Sequence, residues 1–434
     1  MQTIRPLAGY NRGGGRAQVR WCKHLCLLCA LALAALSLGG CGVRAAIGQQ
    51  APAPSTTMSD RDTVVLLHTW PEKEKILNAL AAQINDSQDQ YELRLVSKSA
   101  SEAEEYVSTA LASQAMTDLY AAEAPLMEAF LRLNGAKPLD ASLAEDRCPC
   151  ALNPFLREDE LLALPLFVDG AVLVANLEYL QEAGLALPQS REDLAATLET
   201  LKEELEVNVP LAVSSRPRGG SLMRLRSCVT DALLLESGCQ DRDDVSNWDG
   251  AVARGAIVLK QWSQEGYFGA NYFSFSDEDA MQNFKSARSP FLFCGTSELA
   301  SLLEEGLDFE IQVMAFPGET GSTASPSMDK RFAGVAVCNQ SASLNAPPAL
   351  EAFVQAVAGS RELQAAGWMP VSEEDAAQDV EIAQLWQALP HDMQPCGSQF
   401  TPAEMELQSQ VFVEYLTSSM TADAFEKGYG DIYQ

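Results

Sequence analysis

Between Thr63 and Gly135 the chain alternates a short apolar run with a helical pattern, three times over. Thr63 to Leu67 reads Thr-Val-Val-Leu-Leu, β-branched and apolar, and Ile76, Leu77, Leu80 and Ile84 then fall on one helical face. Tyr91 to Val96 is a second strand pattern and Ala103 to Leu111 a second helix. Asp118 to Ala122 is a third strand and Leu126 to Leu133 a third helix, which Gly135 is expected to stop. Consecutive parallel strands need a crossover long enough to hold a helix, so this alternation predicts a parallel sheet with helices on its faces. The fold class is α/β. A chain of 434 residues is too long for one ordinary core and suits two lobes.

Leu164 to Pro188 is the organising stretch. Apolar runs at Leu161–Leu166 and Ala171–Ala175 predict two short strands, punctuated by Pro165 and by Asp169-Gly170. Asn176 opens a short helix that Gly184 can end with a left-handed residue. Ser190-Arg191-Glu192-Asp193, Ser276-Asp277-Glu278-Asp279 and Thr401-Pro402-Ala403-Glu404 read as helix starts, since each places a capping hydroxyl three residues before a carboxylate. Further strands are expected at Pro210–Val213, Pro290–Phe293, Phe309–Phe316 and Arg331–Asn339.

The N-terminus is a separate object. Arg5, Arg12, Arg16, Arg20 and Lys23 form a basic region with no acidic residue, and Leu25 to Leu38 is an apolar run too short for a comfortable membrane span. Leu38-Gly39-Gly40-Cys41 follows, with small residues before a Cys. The order reads as a lipoprotein signal over residues 1–40, with Cys41 as the lipidation site and residues 41–62 as a flexible tether. Cleavage before Cys41 removes five positive charges and no negative ones, taking the formal charge from −29 to −34.

Such acidity makes nucleic acid a poor partner. There is no Gly-x-Ser-x-Gly elbow, no His-Glu-x-x-His and no phosphate loop. Only His68 and His391 survive signal removal, so His-based catalysis or zinc binding is not expected. The carboxylate runs at Glu102–Glu105 and Glu203–Glu206 read as solvated helix faces. No enzyme activity, cofactor or metal follows from these residues. Of eleven cysteines, seven lie beyond Cys41, an odd number that cannot all pair within one chain. Cys228 and Cys239 flank one helical stretch and could bridge, whereas Cys294 and Cys338 read as buried thiols.

The order of elements resembles a known family. The quoted residues are the strand before His68-Thr69-Trp70, Thr117-Asp118-Leu119-Tyr120, Asn134-Gly135-Ala136-Lys137-Pro138-Leu139-Asp140, the stretch through Ala183-Gly184-Leu185, and the strand before Pro317-Gly318. Together they resemble the bacterial extracellular solute-binding proteins of the sugar-binding class (family 1, maltose-binding-protein-like) of ABC importers, in lipoprotein form. The resemblance runs from Thr63 to the C-terminus. It implies a two-lobed periplasmic-binding-protein-like fold of type II, with a ligand cleft between the lobes. It also implies three crossings, near 165–170, 331–342 and 377–395. Lobe one would be 63–166 with 340–385, and lobe two 167–339 with 386–434. The implied function is a monomeric, lipid-anchored receptor on the extracytoplasmic face of the bacterial membrane. It would deliver a small polar solute, with a carbohydrate as the expected class, to the permease subunits of an ABC importer. The alternative is a surface lipoprotein of the same shape acting as a sensor or adhesin without transport.

Ligands of two-lobed α/β proteins sit where the strand ends of both lobes face each other. That places His68, Trp70 and Glu123 in lobe one, Asp169 and Phe167 on the first crossing, Tyr272 and Gly295 in lobe two, and Trp368 after the return helix. Asp169 has a second reading, as a cap on backbone N–H groups, and Trp70 a second reading as a staple for the helix that follows. Two departures stand out: Cys294-Gly295-Thr296-Ser297 and Ala121-Ala122-Glu123 lack the aromatic residues that sugar binders of this class often carry there.

Overall fold

The structure is a computed structural model describing residues 61–144, 147, 149–218, 220–239, 250–318, 328–389 and 400–432. Cys41, the signal segment, Cys148, Cys396 and the stretch His391–Pro395 of the third crossing lie outside the described residues.

The opening alternation folds as read. β1 (Asp62–His68), α1 (Glu74–Ser87), β2 (Tyr91–Ser97), α2 (Ala100–Ala112), β3 (Leu119–Glu123) and α3 (Ala124–Arg132) follow in order, with β2 and β3 parallel to β1 on either side. Ser99 caps α2 and Glu102 returns the bond, which fixes where that helix begins. The end of α3 differs from expectation. Asn134, not Gly135, takes the left-handed conformation, at φ 52°. Gly135 is needed for close approach instead, because a Cβ there would stand 2.3 Å from the Phe130 ring.

After a small ribbon of β4 (Leu156–Arg157) and β5 (Glu160–Leu161), the two strands expected around Gly170 prove to be one, β6 (Leu164–Asn176). Pro165 is tolerated because the ladder opposite it shifts register, between Ala333 and Gly334, so a missing N–H disrupts nothing there. Gly170 is extended rather than a turn, and a Cβ on it would lie 2.2 Å from the Trp386 ring.

α4 (Leu177–Glu182), α5 (Arg191–Glu204), β7 (Leu211–Ala212), α6 (Ser221–Glu236), α7 (Ala251–Gln264), α8 (Asp277–Lys285), β8 (Phe291–Gly295), α9 (Thr296–Glu305) and β9 (Ile311–Met314) come next. β10 (Lys330–Val337) returns along β6 and β3, antiparallel to both. α10 (Ala346–Ala358), α11 (Arg361–Ala365), α12 (Glu381–Gln387), α13 (Pro402–Thr417) and α14 (Ala422–Gly430) complete the chain.

The sheet is curled, in the order β2-β1-β3-β10-β6-β8-β7 with β9 also on β6. β6 changes partners along its length. Residues up to Gly170 pair with β10, and those from Ala171 pair with β8 and β9. One strand therefore serves two sheets, and the molecule is a two-lobed α/β fold. Period-two alternation sorts the packing beyond the change. Val172 and Val174 join the first core, with Phe130, Phe284 and Leu350, whereas Ala171, Leu173 and Ala175 join a second, with Leu198, Val229, Trp262 and Phe412. Trp262, Tyr267 and Phe268 belong to that second core.

Cys228 is a free, buried thiol that accepts the Asp329 N–H at 3.1 Å, so the bridge to Cys239 is not made. Cys294 and Cys338 are free and buried. Among the described residues no helix is long and apolar enough to cross a membrane.

Candidate functional site

The strand ends of both sheets meet around Asp169. Asp169 lies on β6 one residue before the change of partners, opposite Arg331. Its Oδ1 accepts from the backbone N and from Oγ1 of Thr296, both at 2.8 Å. Thr296 opens α9, so Asp169 caps that helix from 127 residues away, where negative charge is favoured. The Thr296 hydroxyl also bonds Gly367 O at 2.9 Å, which ties the loop before Trp368 to the same point.

The other side of Asp169 is held by Arg224 of α6, only 4% exposed. Its guanidinium makes four contacts, on β6 and on the approach to β10. Nη1 reaches Asp169 Oδ2 at 3.1 Å, Nη2 reaches Asp169 O at 2.8 Å and Asp329 O at 3.1 Å, and Nε reaches Asp329 Oδ1 at 3.3 Å. Burial works against that charge, but Asp169 and Asp329 outweigh it, and the guanidinium is held more firmly protonated than usual. Arg331 pairs with the same Asp329 oxygen at 3.3 Å.

Glu123 ends β3 with its side chain accessible, and among the described residues it makes no hydrogen bond or ion pair. Asp169 lies close enough to disfavour ionisation of the Glu123 carboxyl, and Arg331 and Arg216 close enough to favour it. Arg216, in the loop after β7, pairs with Asp277 at 3.0 Å. Glu298 caps its own helix through Gly295 N at 2.9 Å, and burial beside Asp169 raises its carboxyl. Charged groups from β3, both crossing strands, α6 and the loops of the second sheet thus face one another. Among the described residues no three His, Cys, Asp or Glu side chains are grouped to hold a metal ion.

The predicted aromatic contacts sit beneath this polar ring. Phe167 and Trp368 stack at 3.8 Å and 11°, and Trp70 meets both edge-on, at 5.3 and 4.9 Å. All three are buried in the first core. The structure brings them together, but their ring faces are spent on one another. His68 lies against Trp70 and is fully buried; its Nδ1 accepts the Trp70 N–H at 3.3 Å, and among the described residues Nε2 has no hydrogen-bond partner. Tyr272 is elsewhere, in the second core, with its hydroxyl 2.9 Å from Ser263 Oγ. Gly295 is where Asp169, Arg224 and Glu298 converge: a Cβ would fall 2.4 Å from Arg224 Nη1 and 2.5 Å from Glu298 Oε2.

Sequence reasoning passed over Arg224, Asp329, Arg331 and Arg216. Arg224 carried a usable signal: with Arg226 it is one of two cations set among Leu222, Met223, Leu225 and Val229 on a helix whose every face there is buried.

No protein-family model matches the chain, and no curated protein does. Solved structures do match. A family 1 extracellular solute-binding protein from Bifidobacterium longum subsp. infantis superposes with a TM-score of 0.70 at 13% identity, covering 86% of this chain and 99% of the other. The GacH receptor of Streptomyces glaucescens, known unliganded and with acarbose, gives 0.65 at 18% identity over 86% and 97%. A probable secreted solute-binding lipoprotein from Streptomyces coelicolor gives 0.66 at 13% identity over 86% and 99%. With its sheets joined through β6 and β10, the chain has the two-lobed fold of these extracellular solute-binding proteins.

Proposed function

We propose that the chain is a lipid-anchored receptor on the extracytoplasmic face of a bacterial membrane. It binds a small polar solute, with a carbohydrate as the favoured class, and passes it to an ABC importer. It acts by binding, without catalysis. The observation that carries this reading is the convergence of Glu123, Asp169, Arg216, Arg331 and Glu298 from both sheets and both crossing strands. The lobes we assign are 63–166 with 340–385, and 167–339 with 386–434. β10 is the one segment of the second range whose ladder lies against β3. A solute that touches both lobes favours their closed arrangement by its differential contacts. The acarbose complex of the GacH receptor supports a carbohydrate, and the secreted Streptomyces lipoprotein supports the location. Because Trp70, Phe167 and Trp368 pack on one another, recognition falls to hydrogen bonds with hydroxyl groups more than to ring stacking.

Among the described residues Glu123 makes no hydrogen bond or ion pair, so it is the residue to test. In a thermal-shift screen of the mature protein against sugars, polyols, amino acids and oligopeptides, a sugar or polyol should raise the melting temperature. Glu123→Gln should then weaken that solute by roughly tenfold in calorimetry, the scale of one hydrogen bond to a charged group. A response confined to amino acids or peptides would reject the carbohydrate class, and unchanged affinity in the variant would reject the cleft assignment.

Anchoring has its own test. Cys41→Ser should release the protein from membranes and abolish lipid labelling. Continued membrane retention would reject the lipoprotein reading.

A further inference from the structure

We infer that Arg218 is a clasp across the mouth of the cleft, one that sets how firmly the receptor holds its solute without touching it. The inference rests on the reading that the lobes close by hinge motion. Arg218 lies in the loop from β7 to α6, and its backbone is left-handed, at φ 64°. Residues other than Gly, Asn and Asp rarely adopt that conformation, and one persists there only where surrounding contacts hold it.

Arg218 has such contacts on both sides. Arg218 Nε donates to Glu406 Oε2 at 2.8 Å, and Nη1 donates to Glu104 Oε2 at 2.8 Å. Glu406 stands in the first half of α13, whose Phe412 and Tyr415 belong to the second core. Glu104 stands near the start of α2, which leaves the cleft end of β2 within the range 63–166 assigned to the first lobe. One guanidinium therefore spans both lobes. A carboxylate of its own lobe orients it, and a carboxylate of the other receives it. A second cross-lobe pair lies nearby in the chain: Arg132, ending α3, reaches Glu404 Oε1 at 2.6 Å.

Removing the Arg218 charge does more than delete an attraction. Glu104 and Glu406, both bound to the same guanidinium, would be left as like charges on opposite lobes. The side chains of Arg218, Glu104 and Glu406 are 41%, 33% and 37% exposed, so mobile ions reach the clasp. Salt should therefore loosen it.

The test is small-angle scattering of the mature protein with no solute present. At low salt the wild type should be compact, and its radius of gyration should grow as salt is raised to about 1 M, where the screening length falls to roughly 3 Å. Arg218→Gln should be expanded already at low salt, its closed-to-open ratio lower by roughly fivefold, the upper range for an exposed pair. It should respond less to salt than the wild type, since only the Arg132–Glu404 pair still spans the lobes. Glu104→Gln should match it, and the double variant should add little. Denaturant midpoints within error of wild type show that folding is intact, since all three side chains lie at the surface. Variants as compact as the wild type, with the same salt response, would overturn the clasp. Because no solute is used, that result would leave the carbohydrate reading standing, and a failed sugar screen would leave the clasp testable.

Discussion

Arg224→Ala should destabilise the protein by roughly 3–5 kcal/mol, the usual cost of removing one partner from a buried ion pair. Asp329 is only 1% exposed, so the change strands a carboxylate away from water. It also frees two main-chain carbonyls, those of Asp169 and Asp329, from the guanidinium that now holds them. Arg331 would still reach one Asp329 oxygen, at 3.3 Å, which is why the loss should stay within that range. Arg224→Lys should recover little, because a compact ammonium cannot cover four acceptors spread over two segments. Adding Asp329→Asn to Arg224→Ala should return part of the loss, since a neutral amide is less costly to bury. Urea unfolding of the four proteins checks this. A loss below about 1 kcal/mol in Arg224→Ala would mean the cluster is solvated and the network weak.

The second large effect is a dependence on pH. Burial drives His68 down to about 4, partly opposed by Glu74. In the unfolded chain the imidazole titrates near 6.5. Between those values the unfolded state takes a proton and the folded state does not, so stability falls as pH falls. The contribution is fully present above about 6.5 and is lost progressively toward 4, to a total of roughly 3 kcal/mol. His68→Gln keeps an acceptor for the Trp70 N–H but cannot titrate. Unfolding free energies measured from pH 7 to 4 should therefore fall less steeply in the variant. Coinciding slopes would show that folded His68 already carries a proton.

The first sheet was legible because its signals are local. The apolar run of β1 and the stripe Leu77, Leu80 and Ile84 each act within a few residues. The unity of β6 was not legible. Pro165 and Asp169-Gly170 are local breakers, and what overrides them is distant: a register shift at Ala333, and the Trp386 ring filling the space a Cβ would need. The site was legible in part for the same reason. Strand-end logic named Glu123, Asp169 and Gly295 as candidates, and the structure sets Asp169 beside Gly295 and within electrostatic reach of Glu123. It could not tell that Trp70, Phe167 and Trp368 would turn their faces to each other. The reading of Asp169 as a cap on backbone N–H groups fits the structure, but nothing in the sequence named Thr296 and Arg224, 127 and 55 residues along the chain, as its partners. Such pairings depend on tertiary geometry that no spacing encodes.

A strand shared by two sheets also bears on how the molecule comes apart. If the lobes were joined by loops alone, each could melt in its own step. Here the seam falls inside β6, where pairing passes from Lys330↔Gly170 to Ala171↔Gly295 with no residue between. Fraying of one lobe withdraws backbone partners from the edge of the other, so the two halves are tied into one cooperative unit. The same continuity means that neither half is a complete module to be excised, since a cut at the seam leaves each sheet ending on a torn strand.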